Sequence, residues 1–164
     1  MERLQPVIRP YAWGSRHGIA ALQGRPVPAP GPEAELWMGA HPSAPSGVAG
    51  STLDAVIAAD PDHQLGAACV APFGPRLPFL LKVLSADQAL SIQVHPSRRQ
   101  AQAGFRARNV NYVDDWPKPE LLCALTPFEV LAGLRPPREA AALLRALSVP
   151  QLAPLAAELD AANT

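Results

Sequence analysis

The sequence reads as a mainly β fold, a sandwich or barrel, that passes into an α-helical region near its C-terminal end. Three observations predict this. Apolar runs of strand length recur along the first 135 residues, proline-rich loops separate them, and the texture turns Ala/Leu-rich from Pro136 onward. Many short strands punctuated by turn residues favour a sandwich or barrel over a parallel α/β sheet.

The expected strands are ELWMGA (residues 35–40), FLLKVL (79–84), LSIQVH (90–95), LLCAL (121–125) and FEVLAGL (128–134). Each has the length of an ordinary strand. Twenty prolines punctuate the chain. GRPVPAPGPEAE (24–35) and APFGPRLP (71–78) read as turn-rich loops. A helix is expected after Ser51, where Leu53, Val56 and Ile57 fall at helical spacing and Ser51 is placed to cap it. A short surface helix is expected over 98–105. From Pro136, PPREAAALLRALSVPQLAPLAAELDAAN reads as two helices broken at Pro150. The organisation expected is therefore a β domain over 1–135 and the start of a helical domain over 136–164.

Composition excludes several functions. The 164 residues carry a formal net charge of zero and a mean hydropathy of +0.03. No basic stripe extends beyond Arg98-Arg99 and Arg106 to Arg108, so nucleic acid is not an expected partner. No apolar run approaches the roughly 18–20 residues that span a bilayer, and the first residues lack the apolar core of a secretory signal. Cys69 and Cys123 stand in no metal or redox spacing and read as buried thiols in a reducing cytoplasm. Among 14 basic residues only Lys82 and Lys118 are lysines. A lysine is a compact point charge that burial can neutralise, whereas arginine stays protonated. Both lysines fall in segments that look chemical on other grounds.

In LSIQVHP, alternation along a strand points Ser91, Gln93 and His95 to one face and Leu90, Ile92 and Val94 to the other. The polar face reads as the wall of a polar pocket, with the Gln93 amide and His95 imidazole one pleat apart, or as the solvated side of a half-exposed strand. In DWPKPEL (115–121), Glu120 is a carboxylate restricted by nearby prolines, either a ligand oxygen or part of a Lys–Glu pair in a turn. In EAELWMG (33–39), Glu35 is an acid opening an apolar strand, or a solvated strand start. His17, His41 and His63 have no metal-ligand spacing, and His63 in PDHQLG reads as a surface residue. For His41, a structural role is expected.

Taken together, YAWGS (11–15), AELWMGAHPS (34–43), LPFLLKVLSA (77–86), LSIQVHP (90–96), NYVD (111–114), KPE (118–120) and ALTPFEVLAG (124–133) resemble the ordered blocks of type I phosphomannose isomerases. The resemblance covers about residues 5–135. It implies a cupin-like, jelly-roll β-structure and a single zinc ion held by Gln93, His95 and Glu120. It implies Ser91 and Lys82 near a substrate phosphate, Lys118 and Glu35 near the reacting sugar carbons, and Trp13 as an aromatic pocket wall. The implied chemistry is the interconversion of mannose 6-phosphate and fructose 6-phosphate through an enediol, with a sugar phosphate as the small-molecule partner. The base is left open between Lys118 and Glu35.

Two departures stand out. Trp116 and Pro117 occupy the places where the family usually has Asn-His before the lysine. Relatives also continue into further β-structure that supplies the last His ligand and an active-site Arg, and no histidine follows His95. A missing C-terminal half is therefore an expected partner, with weak zinc binding and little turnover expected of this chain alone. A non-catalytic cupin-like module that binds sugar or metal is the alternative. An iron-dependent oxygenase is disfavoured because no second histidine lies near His95.

Overall fold

The computed structural model describes residues 2–162, and the chain divides into two compact units, Met1–Val94 and His95–Thr164. The first is organised by a three-stranded antiparallel sheet of β1 (Val7–Arg9), β2 (Glu35–Met38) and β5 (Leu81–Leu84), with β2 in the middle. Its register pairs Arg9 with Glu35, Val7 with Trp37, and Trp37 with Lys82. Arg9, Glu35, Trp37 and Lys82 therefore belong to one face. Leu36 and Trp37 of β2 are buried, as are Ile19 and Ala20 of α1 (Gly18–Leu22). Burying a side chain of Leu or Ile size contributes about 1.5–3 kcal/mol.

Gly14 is buried where the chain crosses beside this sheet and bridges to Ala86. A Cβ here would lie under 3.0 Å from the backbone of Ala34, so only glycine lets the YAWGS segment pass so close. The next residues form a small hairpin, β3 (Gly47–Val48) and β4 (Ser51–Thr52), closed by Ala49 and Gly50. Both loop residues have positive φ, 47° and 77°, the pattern of the hairpin turn whose twist matches its strands. Ser46, fully buried, ties this hairpin to β2. Its hydroxyl accepts from Gly39 N–H at 3.0 Å and donates to the Trp37 carbonyl at 3.3 Å.

Three short helices follow: α2 (Leu53–Ala59), α3 (Pro61–Leu65) and α4 (Ala67–Phe73). The expected Ser51 cap is not made. Ser51 belongs to β4, and Thr52 stands at the cap position without a side-chain bond. Asp60 instead caps α3, accepting from the His63 N–H at 3.3 Å. His63 is exposed, as expected. The loop expected over 71–78 begins later, because α4 runs through Pro72 to Phe73 and ends at Gly74, whose φ is 74°.

The second unit is helical where it is regular. In α5 (Arg98–Arg106), Ser97 and Gln100 form a reciprocal capping box. Gly104 of α5 leaves room for the Tyr112 ring, which a Cβ would meet under 3.0 Å away. The two expected C-terminal helices are α6 (Pro137–Ala146) and α7 (Ala153–Ala161), separated by a short 3-10 turn at Pro150–Leu152. Ala141 and Ala156 are buried, small enough for close helix approach, and Arg145 pairs with Asp160.

The mainly β expectation holds only in part. Among the described residues there are five strands, none longer than four residues, against seven α-helices. LSIQVH, LLCAL and FEVLAGL are not strands. Their apolar side chains stand in solvent, with Ile92 89%, Leu121 98% and Leu131 97% exposed. A lone extended segment gains neither ladder bonds nor burial, so an alternating pattern produces a strand only beside a partner. For the same reason Cys123, expected to be buried, is exposed, while Cys69 is half-buried. No helix among the described residues is long and apolar enough to cross a membrane.

Two stability changes are expected from this architecture. Ser46→Ala leaves the Gly39 N–H buried without its hydroxyl partner and lowers unfolding free energy by about 1–3 kcal/mol. Ala49→Gly relieves a left-handed residue and raises it by about 0.5–1 kcal/mol. Urea denaturation of the two variants reads both, and the same sign for the two would overturn the assignment.

Candidate active site

In the first unit, the pairing of β2 with β5 carries Glu35 and Lys82 to neighbouring positions on one face. Glu35 is 7% exposed, and a carboxylate so enclosed needs partners for its charge. Lys82 Nζ lies 3.2 Å from Oε1, and the Trp37 indole N–H donates to Oε2 at 2.8 Å. The Arg9 guanidinium sits 4.9 Å from the centroid of the Trp37 ring, while its Nε donates to the Tyr11 hydroxyl at 3.1 Å. Trp13 stacks on Tyr11 with centroids 5.8 Å apart, and its carbonyl accepts from Asp87 N–H. His41 packs edge-on against Trp37 and accepts the Ser43 N–H at Nδ1.

Beside this group, Arg25 and Glu33 form a separate pair at 2.6 Å. The hydrogen bond that the Arg25 guanidinium donates to Glu33 holds it above its ordinary range, against a smaller opposing effect of desolvation. That pair ties together the loop before β2.

In the second unit, His95, Lys118 and Glu120 come together. Glu120 Oε2 is 3.8 Å from His95 Nδ1, and Oε1 is 3.5 Å from Lys118 Nζ. The backbone helps, since Lys118 N–H donates to the Pro96 carbonyl and so brings the PKPE segment alongside His95. Pro117 and Pro119 restrict the chain on both sides of Lys118. Trp116, standing where the family usually has a polar residue, lies under the Arg98 guanidinium at 5.1 Å, and its N–H donates to Asp114 Oδ1.

The expected residues therefore fall into two clusters. Glu35 and Lys82 are one, and His95, Lys118 and Glu120 are the other. Ser91 and Gln93 are exposed and lie outside any strand, so the expected wall of alternating polar side chains is not formed by a sheet. Trp37 and Arg9 were not among the expected site residues. The signal for Trp37 was present, because a residue two places after Glu35 on a strand shares its face. Nothing local marked Arg9, whose place depends on how β1 pairs with β2. Among the described residues no three His, Cys, Asp or Glu side chains gather as a metal site.

Comparison with known proteins places the chain in a family. The family described as phosphomannose isomerase type I, catalytic domain, matches residues 1–137. The mannose-6-phosphate isomerase of Escherichia coli is 41% identical over 160 residues, covering 88% of this chain and 41% of that protein. That of Emericella nidulans is 39% identical over 163 residues, covering 89% and 34%. A lysine-to-alanine mutant of phosphomannose isomerase from Salmonella typhimurium superposes with a TM-score of 0.66 at 42% identity, over 71% of this chain and 32% of that one. A mannose 6-phosphate isomerase bound with zinc and yttrium gives 0.61 at 43% identity, over 69% and 29%. The chain thus spans about two fifths or less of the length of these relatives. With the family match running through both clusters and 39–41% identity along most of its length, this chain belongs to the type I phosphomannose isomerases.

Proposed function

We propose that this chain supplies part of a zinc-dependent isomerase interconverting mannose 6-phosphate and fructose 6-phosphate. The observation that carries the reading is the meeting of His95, Lys118 and Glu120. An imidazole, a carboxylate and an amine in one place are the groups that an aldose–ketose isomerisation asks for. A proton has to move between C1 and C2 through an enediol, which requires a base and stabilisation of the oxygen that gains charge.

The donor set suits zinc. Two ligands at about 2.0–2.2 Å on a tetrahedral ion stand roughly 3.3–3.6 Å apart, and the His95–Glu120 separation of 3.8 Å is within a small side-chain adjustment of that. His95 and Glu120 would hold the metal with Gln93 as a neutral third ligand. Bound there, zinc supplies Lewis-acid polarisation of a sugar oxygen. Lys118 is the better candidate for the base. Its side chain is half-exposed beside Glu120, whereas both oxygens of Glu35 are engaged within a buried group.

On this reading Lys82 faces the phosphate with Ser91, and Glu35 anchors Lys82. Trp13, stacked on Tyr11, lines the pocket as an aromatic wall. Residues 1–135 form the N-terminal part of a mainly β, cupin-like catalytic domain, and residues 136–164 begin a helical region. The family match ending at residue 137 supports that boundary. The cytoplasm is the expected setting.

Metal analysis tests the ligand set. His95→Ala and Glu120→Gln should each lower zinc affinity by roughly tenfold or more, and zinc retention equal to the parent in both would remove these residues from the site. Coupled turnover of mannose 6-phosphate tests the base. Lys118→Met should cut the zinc-dependent, chelator-sensitive rate by about 10²–10⁴, and unchanged turnover would exclude Lys118.

A further inference from the structure

We infer that Trp37 is the positioning residue for the Lys82 ammonium, acting through the Glu35 carboxylate that lies between them. This rests on the reading of Lys82 as the cation that meets the substrate phosphate. The chain of contacts is continuous. The Trp37 indole N–H holds Glu35 Oε2 at 2.8 Å, and Glu35 Oε1 holds Lys82 Nζ at 3.2 Å. The three side chains share one face of the sheet, with Trp37 directly paired to Lys82 and Glu35 diagonal to it.

Lysine on its own is a poor anchor, because four rotatable bonds let its ammonium wander. One ion pair at 3.2 Å does not fix it unless the carboxylate is itself fixed. A glutamate has three side-chain torsions, and its second oxygen must be held to stop the carboxylate turning. The Trp37 N–H does this, and the indole cannot swing away. Trp37 is 8% exposed, Arg9 lies over its ring, and His41 packs edge-on against it at 5.0 Å. Arg9 pairs in register with Glu35 yet stacks on the tryptophan instead of competing with Lys82 for the carboxylate.

Trp37→Phe keeps an aromatic ring in the slot and removes only the N–H donor. Mannose 6-phosphate binding is measured by calorimetry on the zinc-loaded chain, for the parent, Trp37→Phe and Lys82→Ala, with circular dichroism as the check on folding. Independently, ¹⁵N NMR follows the Trp37 indole N–H in the parent and in Glu35→Gln, and the Lys82 side-chain resonances in the parent and in Trp37→Phe. The expected result is roughly a tenfold loss of affinity in Trp37→Phe, the scale of one hydrogen bond to a charged group, with a larger loss in Lys82→Ala. The indole N–H should move upfield in Glu35→Gln, and the Lys82 resonances should sharpen toward a freely rotating lysine in Trp37→Phe. A merely structural tryptophan would leave the lysine signals unchanged. Loss of affinity in Lys82→Ala with parental affinity and parental lysine signals in Trp37→Phe overturns the positioning role and leaves the phosphate reading standing. No saturable binding by the parent, or full binding by Lys82→Ala, overturns both.

Discussion

The antiparallel register of β2 against β5 is the constraint on which the first unit's chemistry depends. It places Trp37 opposite Lys82 and Glu35 one step away on the same face. A slip of one residue would send Lys82 to the far side of the sheet and leave the Glu35 carboxylate buried without a cation. That cost is what makes the register specific, because an enclosed carboxylate tolerates few alternative partners. The sheet is only three short strands wide, so strand pairing alone would hold the register weakly. Side-chain chemistry completes it. Ser46 adds a further tie, joining the Trp37 carbonyl to the Gly39 N–H and so linking β2 to the hairpin that follows.

The second unit solves a different problem, the positioning of a loop. PKPE has no strand or helix around it. Two prolines narrow its backbone choices before folding begins, which reduces the entropy lost on ordering it. A backbone hydrogen bond from Lys118 to Pro96 then brings it beside His95, and the stack of Arg98 on Trp116 fastens the segment to the first turn of α5. The Ser97 capping box starts that helix immediately after His95-Pro96, so the imidazole stands next to a well-defined helix end. Trp116 in place of a polar residue is consistent with this. A flat ring under a guanidinium fixes a loop without needing a matched donor and acceptor.

How much of this was legible in the sequence depended on whether a feature was local. Both strands that became β2 and β5 were visible as apolar runs, and the C-terminal helical pair could be read from neighbouring residues, whereas the cap expected at Ser51 was not made. The three-residue β1 was not, since VIR is too short to carry a period. The hairpin at 47–52 was hidden because its turn uses Ala49 in a left-handed conformation that composition does not suggest. The failed strands are the more instructive case. LSIQVH and FEVLAGL carry correct alternation or apolar content, but a strand is a property of a pair, and neither segment joins a sheet among the described residues. At the site, motif order named His95, Glu120, Lys118, Lys82 and Glu35, while the dependence of Glu35 on Trp37 and of Trp37 on Arg9 required the sheet register.

The two lysines end in opposite circumstances, and the contrast bears on what each can do. Lys82 is tied to a carboxylate that is 9% exposed at its side chain, and its own side chain is mostly covered. Lys118 pairs with Glu120 at 3.5 Å while its side chain is 56% exposed. An anchored ammonium is suited to a task in which charge and position stay constant, such as meeting a phosphate dianion, because no ordering remains to be done when the anion arrives. A group that takes up and returns a proton has to follow two carbons of the substrate in turn, and a tightly held side chain is poorly placed for that. In a chain where arginine is otherwise the rule, each lysine stands where arginine would fail for its own reason. A guanidinium is a planar, branched donor and not a compact point charge like the ammonium beside Glu35, and it cannot give up a proton beside Glu120. The proposed division of labour, Lys82 for the phosphate and Lys118 for the sugar carbons, follows from that difference in confinement.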